Sequence, residues 1–229
     1  MIDLILNEPQ LLFSLALTAK TCLVTLALFL VAGPLAGYYL ARAPGVAPRV
    51  LGFIITIPLV FPPVALGYML LTALGRTSLV GGALEPFGLS LIFNETAVAL
   101  AGFIAGLPLV VRPLQAAFAS PRLIELEEAA RIHGADRRDV FLRITLPLVR
   151  PSLAAALLLG CARVSGEVGI TMMLGGNISE RTNTLSLEIF NAVSRADFDA
   201  ANALCLLLSL FAAVIFLAAE LLIRRSPRL

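Results

Sequence analysis

Few side chains in this chain could do chemistry. Among its 229 residues there is a single histidine, a single lysine and three cysteines. A P-loop needs a lysine directly behind its glycines to reach the phosphates of a nucleotide. Lys20 sits in an apolar stretch with no glycine before it, so that route to ATP hydrolysis is closed. His133 lacks a clustered metal-type partner and reads as a polar loop residue, and no Ser/His/Asp or Cys/His set is available for nucleophilic catalysis. Cys22, Cys161 and Cys205 stand alone in apolar segments and read as small buried hydrophobes. The chain is expected to be no enzyme, with no cofactor and no metal of its own.

One pair of charges remains. Arg163 and Glu167 are four residues apart inside an otherwise apolar run, a spacing that places both on one helix face. Charges in such a run face a bundle interior or a water-filled cavity. They either line or brace a conduit, with Thr171 and Asn177 extending it, or form an ion pair that only locks helix packing. A dianion would be repelled by Glu167 unless a cation neutralised it, which favours bracing over direct contact.

The elements that would position this pair are membrane spans. Hydrophobic residues make up 59% of the chain and charged residues 14%, with a mean hydropathy of +0.95. That is too much apolar surface for a soluble domain of this size to bury. No charged residue occurs between Lys20 and Arg42, Arg49 and Arg76, or Asp199 and Glu220. Each gap is near the roughly 20 residues a helix needs to cross the hydrocarbon core. With the shorter gap from Glu95 to Arg112, they predict an all-α polytopic membrane protein. Its five spans are expected at about 14–41, 50–74, 96–118, 148–174 and 200–223. Eleven arginines fall in the first connection, the loop 119–147 with its flanks, and the C-terminus; only Arg76, Arg181 and Arg195 lie in the other two connections. This bias places the N-terminus outside and the C-terminus in the cytoplasm. The first ten residues carry Asp3 and Glu8 but no basic residue, so the first span is expected to be retained rather than cleaved. With only a few residues after Arg224, no regulatory domain is expected at the C-terminus.

Pro58, Pro62 and Pro63 interrupt the second span, which is expected to sit inside a bundle where neighbours satisfy the freed carbonyls. Gly33/Gly37 and Gly102/Gly106 have the spacing of close helix contacts. Glycine is also simply common in membrane helices, and that plainer reading is preferred for each pair.

The densest charge lies in the loop 119–147, which parses as two short helices. Ser120 can cap the first, with Pro121 in its first turn. Leu123, Leu126 and Ala130 are expected to form its apolar stripe, and Glu127 and Arg131 an i,i+4 pair. Gly134 suits a left-handed C-terminal position. Asp136 can cap a second helix, Arg137 to Ile144, with a break expected at Leu146-Pro147.

These residues carry a resemblance. Glu128-Ala129-Ala130, Gly134 with Ala135 behind it, and Ile144, Leu146 and Pro147 fill every signature position of the EAA loop of ABC-importer permease subunits. The resemblance implies that the loop, Leu126 included, is a coupling helix between spans 3 and 4 that docks on a separate ATPase subunit. Ile57 to Leu71, Leu107 to Phe118 and the segment from Arg163 to Phe190 are further similar to molybdate permeases, over about residues 10–223. Val168, within Gly166-Glu167-Val168-Gly169, stands where that group commonly has an aromatic, and Gly-Glu-Val-Gly also resembles tungstate permeases. The resemblance also implies a homodimeric permease in a prokaryotic inner membrane, with two ATPase subunits that use ATP and Mg²⁺. An oxyanion-binding protein on the periplasmic or extracellular side would deliver molybdate, with tungstate or sulfate as alternatives. Glu180, Arg181, Arg195 and Asp197 are candidate rim contacts for that protein. Besides lipid, no nucleic-acid partner is expected. A gradient-driven secondary transporter is the alternative of another class; it would need no docking loop.

Overall fold

The computed structural model describes residues 9–87 and 90–224, and every regular element among them is helical. Asp3, Glu8, Arg225 and Arg228, which contribute to the N-terminal reading and the charge bias, lie outside the described residues. Helix α1 covers Pro9–Arg42, α2 Val46–Val60, α3 Pro63–Leu74 and α4 Leu79–Leu84, the last followed by one 3₁₀ turn. Helix α5 is Glu95–Phe118, α6 Pro121–Ile132 and α7 Arg137–Val140. A π-helical turn at Phe141–Thr145 joins α7 to α8, Leu146–Ser165. Helix α9 is Gly169–Gly175, α10 Leu185–Ser194 and α11 Phe198–Arg224.

Four described stretches are long and apolar enough to cross a membrane: Gln10–Arg42, Glu95–Phe118, Arg137–Ser165 and Phe198–Leu217. They match the first, third, fourth and fifth expected spans, with two corrections. The second expected span is not one helix. It breaks at Phe61 and Pro62, both extended, because Pro62 and Pro63 each push the preceding residue out of helical backbone. The fourth ends at Ser165 rather than 174; Gly166–Val168 is non-helical before α9 begins. The break expected at Leu146-Pro147 is absent. The wider π turn carries the chain from α7 into α8 without interruption, and it falls directly before Pro147, whose ring and missing N–H disturb the regular α-helical bonding of the preceding turn.

Helix α5 is the central element. It runs parallel to α1, with Lys20 beside Glu95 at one end and Gln115 beside Leu40 at the other. It runs antiparallel to α8, and here the glycine pairs prove to be contact positions. A Cβ on Gly106 would lie 2.7 Å from Phe29 Cζ and 3.1 Å from the Gly160 carbonyl oxygen; one on Gly33 would lie 2.7 Å from Val110 Cγ1. The plainer reading of those pairs is therefore replaced by close packing, which backbones without side chains permit.

Phe29, Val110, Leu114 and Ala156 fill the core between α1, α5 and α8. Leu66, Ala101, Ile170 and Leu174 fill a second core between α3, α5 and α9. Leu11, Leu185, Ala201 and Leu204 join α1, α10 and α11. Large apolar side chains also point outward, including Leu23, Val31, Leu35, Phe53, Leu206 and Leu210. Such a surface suits lipid as solvent.

Candidate functional site

Two features stand out, at opposite ends of α8. The first is the element formed by α6 and α7. Ser120 accepts a hydrogen bond from the Leu123 amide at 3.3 Å, and Asp136 from the Asp139 amide at 2.6 Å, so both helices begin at caps their sequences specify. Gly134 has φ +86°, a left-handed turn that closes α6, and the Ala135 amide donates back to the Ala130 carbonyl at 3.0 Å.

The apolar stripe differs from the expected one. Leu123 is buried and joins the main core, but Leu126 is exposed and Ala130 only half-buried. The inward face pairs Leu123 with Glu127, one turn on. The outward face carries Leu126, Ala129 and Ile132 at three-residue spacing, with Ile132 84% exposed. Glu128 is also exposed, whereas Ile144, Leu146 and Pro147 are half-buried where the element meets α8.

Glu127 anchors this element. Its carboxylate is 4% exposed and accepts from Thr145 Oγ1 at 2.6 Å and from Arg42 Nη2 at 3.0 Å. The expected partner Arg131 is more distant, at 3.8 Å, and largely in solvent. The Thr145 hydroxyl also lies 3.4 Å from the Val140 carbonyl, at the start of the π turn. One carboxylate thus ties α6 to the end of α1 and to the π turn. Sequence spacing shows the Arg131 pair but cannot show Arg42, which lies 85 positions away.

The second feature is the meeting of two helix breaks. A Cβ on Gly169, at the start of α9, would lie 2.7 Å from Pro63 Cβ and 3.0 Å from the Val64 amide nitrogen. The interruption after α8 thus abuts the interruption after α2. Arg163 and Glu167 flank it. Glu167 is 2% exposed; its Oε1 accepts from the Ile170 amide at 2.7 Å, capping α9. Its Oε2 lies 2.5 Å from Arg163 Nη2, a close ion pair without the alignment of a hydrogen bond. Thr171 is buried on α9, one turn beyond this cap.

Asn177 is directed elsewhere. With φ +49°, it exchanges amide hydrogen bonds with Asn191 on α10, at 2.7 and 3.3 Å. The segment after it is more than a solvated connection, since every residue from Thr182 to Glu188 is buried. Asn183 donates to Glu188 Oε1 at 2.7 Å, and the Leu185 amide donates to Thr18 on α1 at 2.9 Å. Glu180, Arg181, Arg195 and Asp197 are all exposed on this end; Asp197 accepts from the Ala200 amide and caps α11.

Arg112, on α5, is a polar centre that spacing arguments passed over. Its guanidinium donates to Thr56 Oγ1, to the Gly52 carbonyl at 2.7 Å and to Gln115 Oε1 at 2.8 Å. A charge inside an apolar span was the available signal.

Comparison with known proteins agrees with this architecture. Residues 33–228 match the family model described as "binding-protein-dependent transport system inner membrane component". The chain is 38% identical over 214 residues to a molybdenum transport system permease protein of Mycobacterium bovis, covering 93% of this chain and 80% of that one. It is 34% identical over 190 residues to the molybdenum transport system permease protein of Azotobacter vinelandii, covering 82% and 84%. A chloroplastic sulfate permease of Chlamydomonas reinhardtii is 35% identical over 90% of this chain and 55% of its own. A chain of a bacterial alginate ABC transporter, solved with its alginate-loaded periplasmic protein, superposes with a TM-score of 0.76 at 20% identity, over 98% of this chain and 82% of that one, and so shares the fold. With matches that span most of its length, this chain belongs to the family of binding-protein-dependent transport system inner membrane components.

Proposed function

We propose that this protein is the membrane-spanning subunit of an ATP-driven importer of a tetrahedral oxyanion, molybdate first. The observation that carries the reading is the near full-length likeness to relatives named as molybdenum transport permeases. The exposed face of Leu126, Ala129 and Ile132 on a doubly capped element supports it, since an apolar face held rigidly outside the bundle suits a protein partner. In this reading, α6 and α7 dock on an ATPase subunit, which binds the ATP and Mg²⁺. Two copies of the chain enclose the conduit, and the kinked pair α2–α3 crosses as the fifth span. The N-terminus and the α9–α10 segment then face a binding protein outside, with Glu180, Arg181, Arg195 and Asp197 at the rim.

Arg163 and Glu167 brace rather than carry the anion. Glu167 already occupies the start of α9 with its own negative charge, so a dianion gains nothing there. Family membership favours this reading over a gradient-driven carrier. The sulfate permease among the relatives makes sulfate the second candidate, with tungstate the third on the Gly-Glu-Val-Gly likeness.

The test is uptake of labelled molybdate into vesicles containing the full complex, with tungstate and sulfate as competitors. ATP-dependent uptake that needs the binding protein is expected, with sulfate competing weakly. Purification of the intact membrane complex with no P-loop subunit, or uptake indifferent to ATP, would overturn the reading.

A further inference from the structure

An open pocket of about 420 Å³ lies where α1 turns into α2, at the end of the bundle that carries α6 and α7. Gly45, Pro48, Arg49, Gly52, Arg112 and Gln115 are among its lining residues. The cations on α1, α5 and α8 are Lys20, Arg42, Arg112, Arg150 and Arg163, and Arg42 pairs with Glu127. Lys20 pairs with Glu95 and Arg163 with Glu167. Arg112 has no carboxylate partner among the described residues; its acceptors are a hydroxyl, a main-chain carbonyl and a side-chain amide, all neutral. These bonds fix the plane of the guanidinium while leaving its charge uncompensated. They use both Nη2 protons, Nε–H and one Nη1 proton, so one Nη1 donor remains. Arg49, exposed on the same wall, likewise has no carboxylate partner among the described residues.

An uncompensated guanidinium in an apolar span is costly, and its remaining Nη1–H, fixed in direction by the other bonds, can give a charge-assisted hydrogen bond to one oxygen of an anion. We infer that this pocket is an oxyanion-binding site, in which Arg112 is the preoriented donor and Arg49 the second cation that closes over the ligand. The ligand class is a small tetrahedral anion carrying one or two charges. A free oxyanion and the phosphodiester headgroup of an anionic lipid share that chemistry. Molybdate as the first probe rests on the import reading; the site itself rests on the two guanidinium groups.

The experiment uses the full-length protein, with its ATPase where the two co-purify, in nanodiscs of phosphatidylcholine alone or with phosphatidylglycerol added. Equilibrium binding of labelled molybdate is measured, with sulfate as competitor. In phosphatidylcholine, saturable binding is expected, weakened about tenfold by Arg49→Gln or by Arg112→Gln, the loss of one charge-assisted contact each. Arg49 is exposed and holds no partner carboxylate, so its variant keeps the test valid even if Arg112→Gln misfolds. If phosphatidylglycerol displaces molybdate from the wild type, and the arginine variants retain less of that lipid, the headgroup is the resident ligand; if it has no effect, the soluble anion is. Either result supports the site. Undiminished binding in the Arg49→Gln/Arg112→Gln double variant would overturn it, as would the absence of both saturable molybdate binding and arginine-dependent lipid retention. A complex that fails to import molybdate yet shows arginine-dependent sulfate or lipid binding would retire the import reading and leave this site standing.

Discussion

Replacing Glu127 should weaken the attachment of α6–α7 to the bundle by an amount that depends on what replaces it. The Thr145 bond is charge-assisted, short and buried, and such bonds contribute about 1.5–3 kcal/mol. Thr145 can fall back on the Val140 carbonyl at 3.4 Å, which argues for the lower end. The Arg42 side chain is 23% exposed and engages through one nitrogen, so its share is about 1 kcal/mol. Arg131 is mostly in solvent and adds only a few tenths. Glu127→Ala should therefore cost about 2–3 kcal/mol, and Glu127→Gln about 1 kcal/mol, because the amide oxygen still accepts one of these bonds. Unfolding of the purified full-length protein, followed by circular dichroism against increasing denaturing detergent, would read the difference. In the reconstituted complex, Glu127→Ala should keep ATP hydrolysis and lose most uptake, since α6 would no longer be held to α1. The reasoning fails if both variants lie within about 0.5 kcal/mol of wild type, the range of ordinary surface changes, or if Gln is as damaging as Ala.

Gly134→Val places a β-branched residue at φ +86° in open space, so strain of about 1–2 kcal/mol falls on the α6–α7 turn alone; insertion should be normal and uptake uncoupled from ATP hydrolysis, read as the ratio of ATP consumed to anion imported. Ile132→Asp should leave the fold unchanged, because the side chain is 84% exposed, while ATPase co-purification falls about tenfold or more; unchanged co-purification would remove the docking face. Gly106→Ala should destabilise by about 1–3 kcal/mol through overpacking against Phe29 and the Gly160 carbonyl, seen as loss of monodisperse protein in size exclusion. Glu167→Gln keeps an acceptor for the Ile170 amide but strips Arg163 of its counter-ion; both complex stability and uptake should drop, and wild-type values in both would deny the pair its bracing role.

What spacing made legible was local. Ser120, Asp136 and Gly134 act on neighbours within a few residues, so their caps and the left-handed turn could be read directly from the sequence. Charge-free runs likewise marked α1, α5 and α11, whose ends fall within a few residues of expectation. Hydropathy is blind to backbone geometry: the prolines signalled an interrupted second span but not that it parts into two helices at Phe61–Pro62, and Gly166–Val168, as apolar as its surroundings apart from Glu167, ends the fourth span early. The stripe on α6 departs from expectation at Leu126 for a tertiary reason. Leu126 is as apolar as Leu123, but a buried carboxylate with Arg42 and Thr145 as partners decides which face turns inward, and neither partner is visible in the helix itself. Arg112 escaped because its acceptors are neutral and two of them, Thr56 and Gly52, lie on another helix.

The two corrected spans bear on how force would travel under the import reading. From Arg137 to Ser165 the chain is one helical run of 29 residues, about 43 Å at 1.5 Å per residue. Its first turns form part of the docking element, and its last carry Arg163. The run has no break at Leu146-Pro147, so any displacement of α7 that the π turn and the prolines Pro147 and Pro151 do not take up passes along it. Its far end meets Gly166–Val168, a non-helical linker that abuts the Phe61–Pro62 interruption. The Glu167 cap ties α9 to α8 across this junction through Arg163. Had the fourth span been continuous to residue 174, α9 would have had to move as one body with α8. The break lets α9 tilt against α3 while α8 translates, which is the motion a conduit needs if it is to open at one end and close at the other.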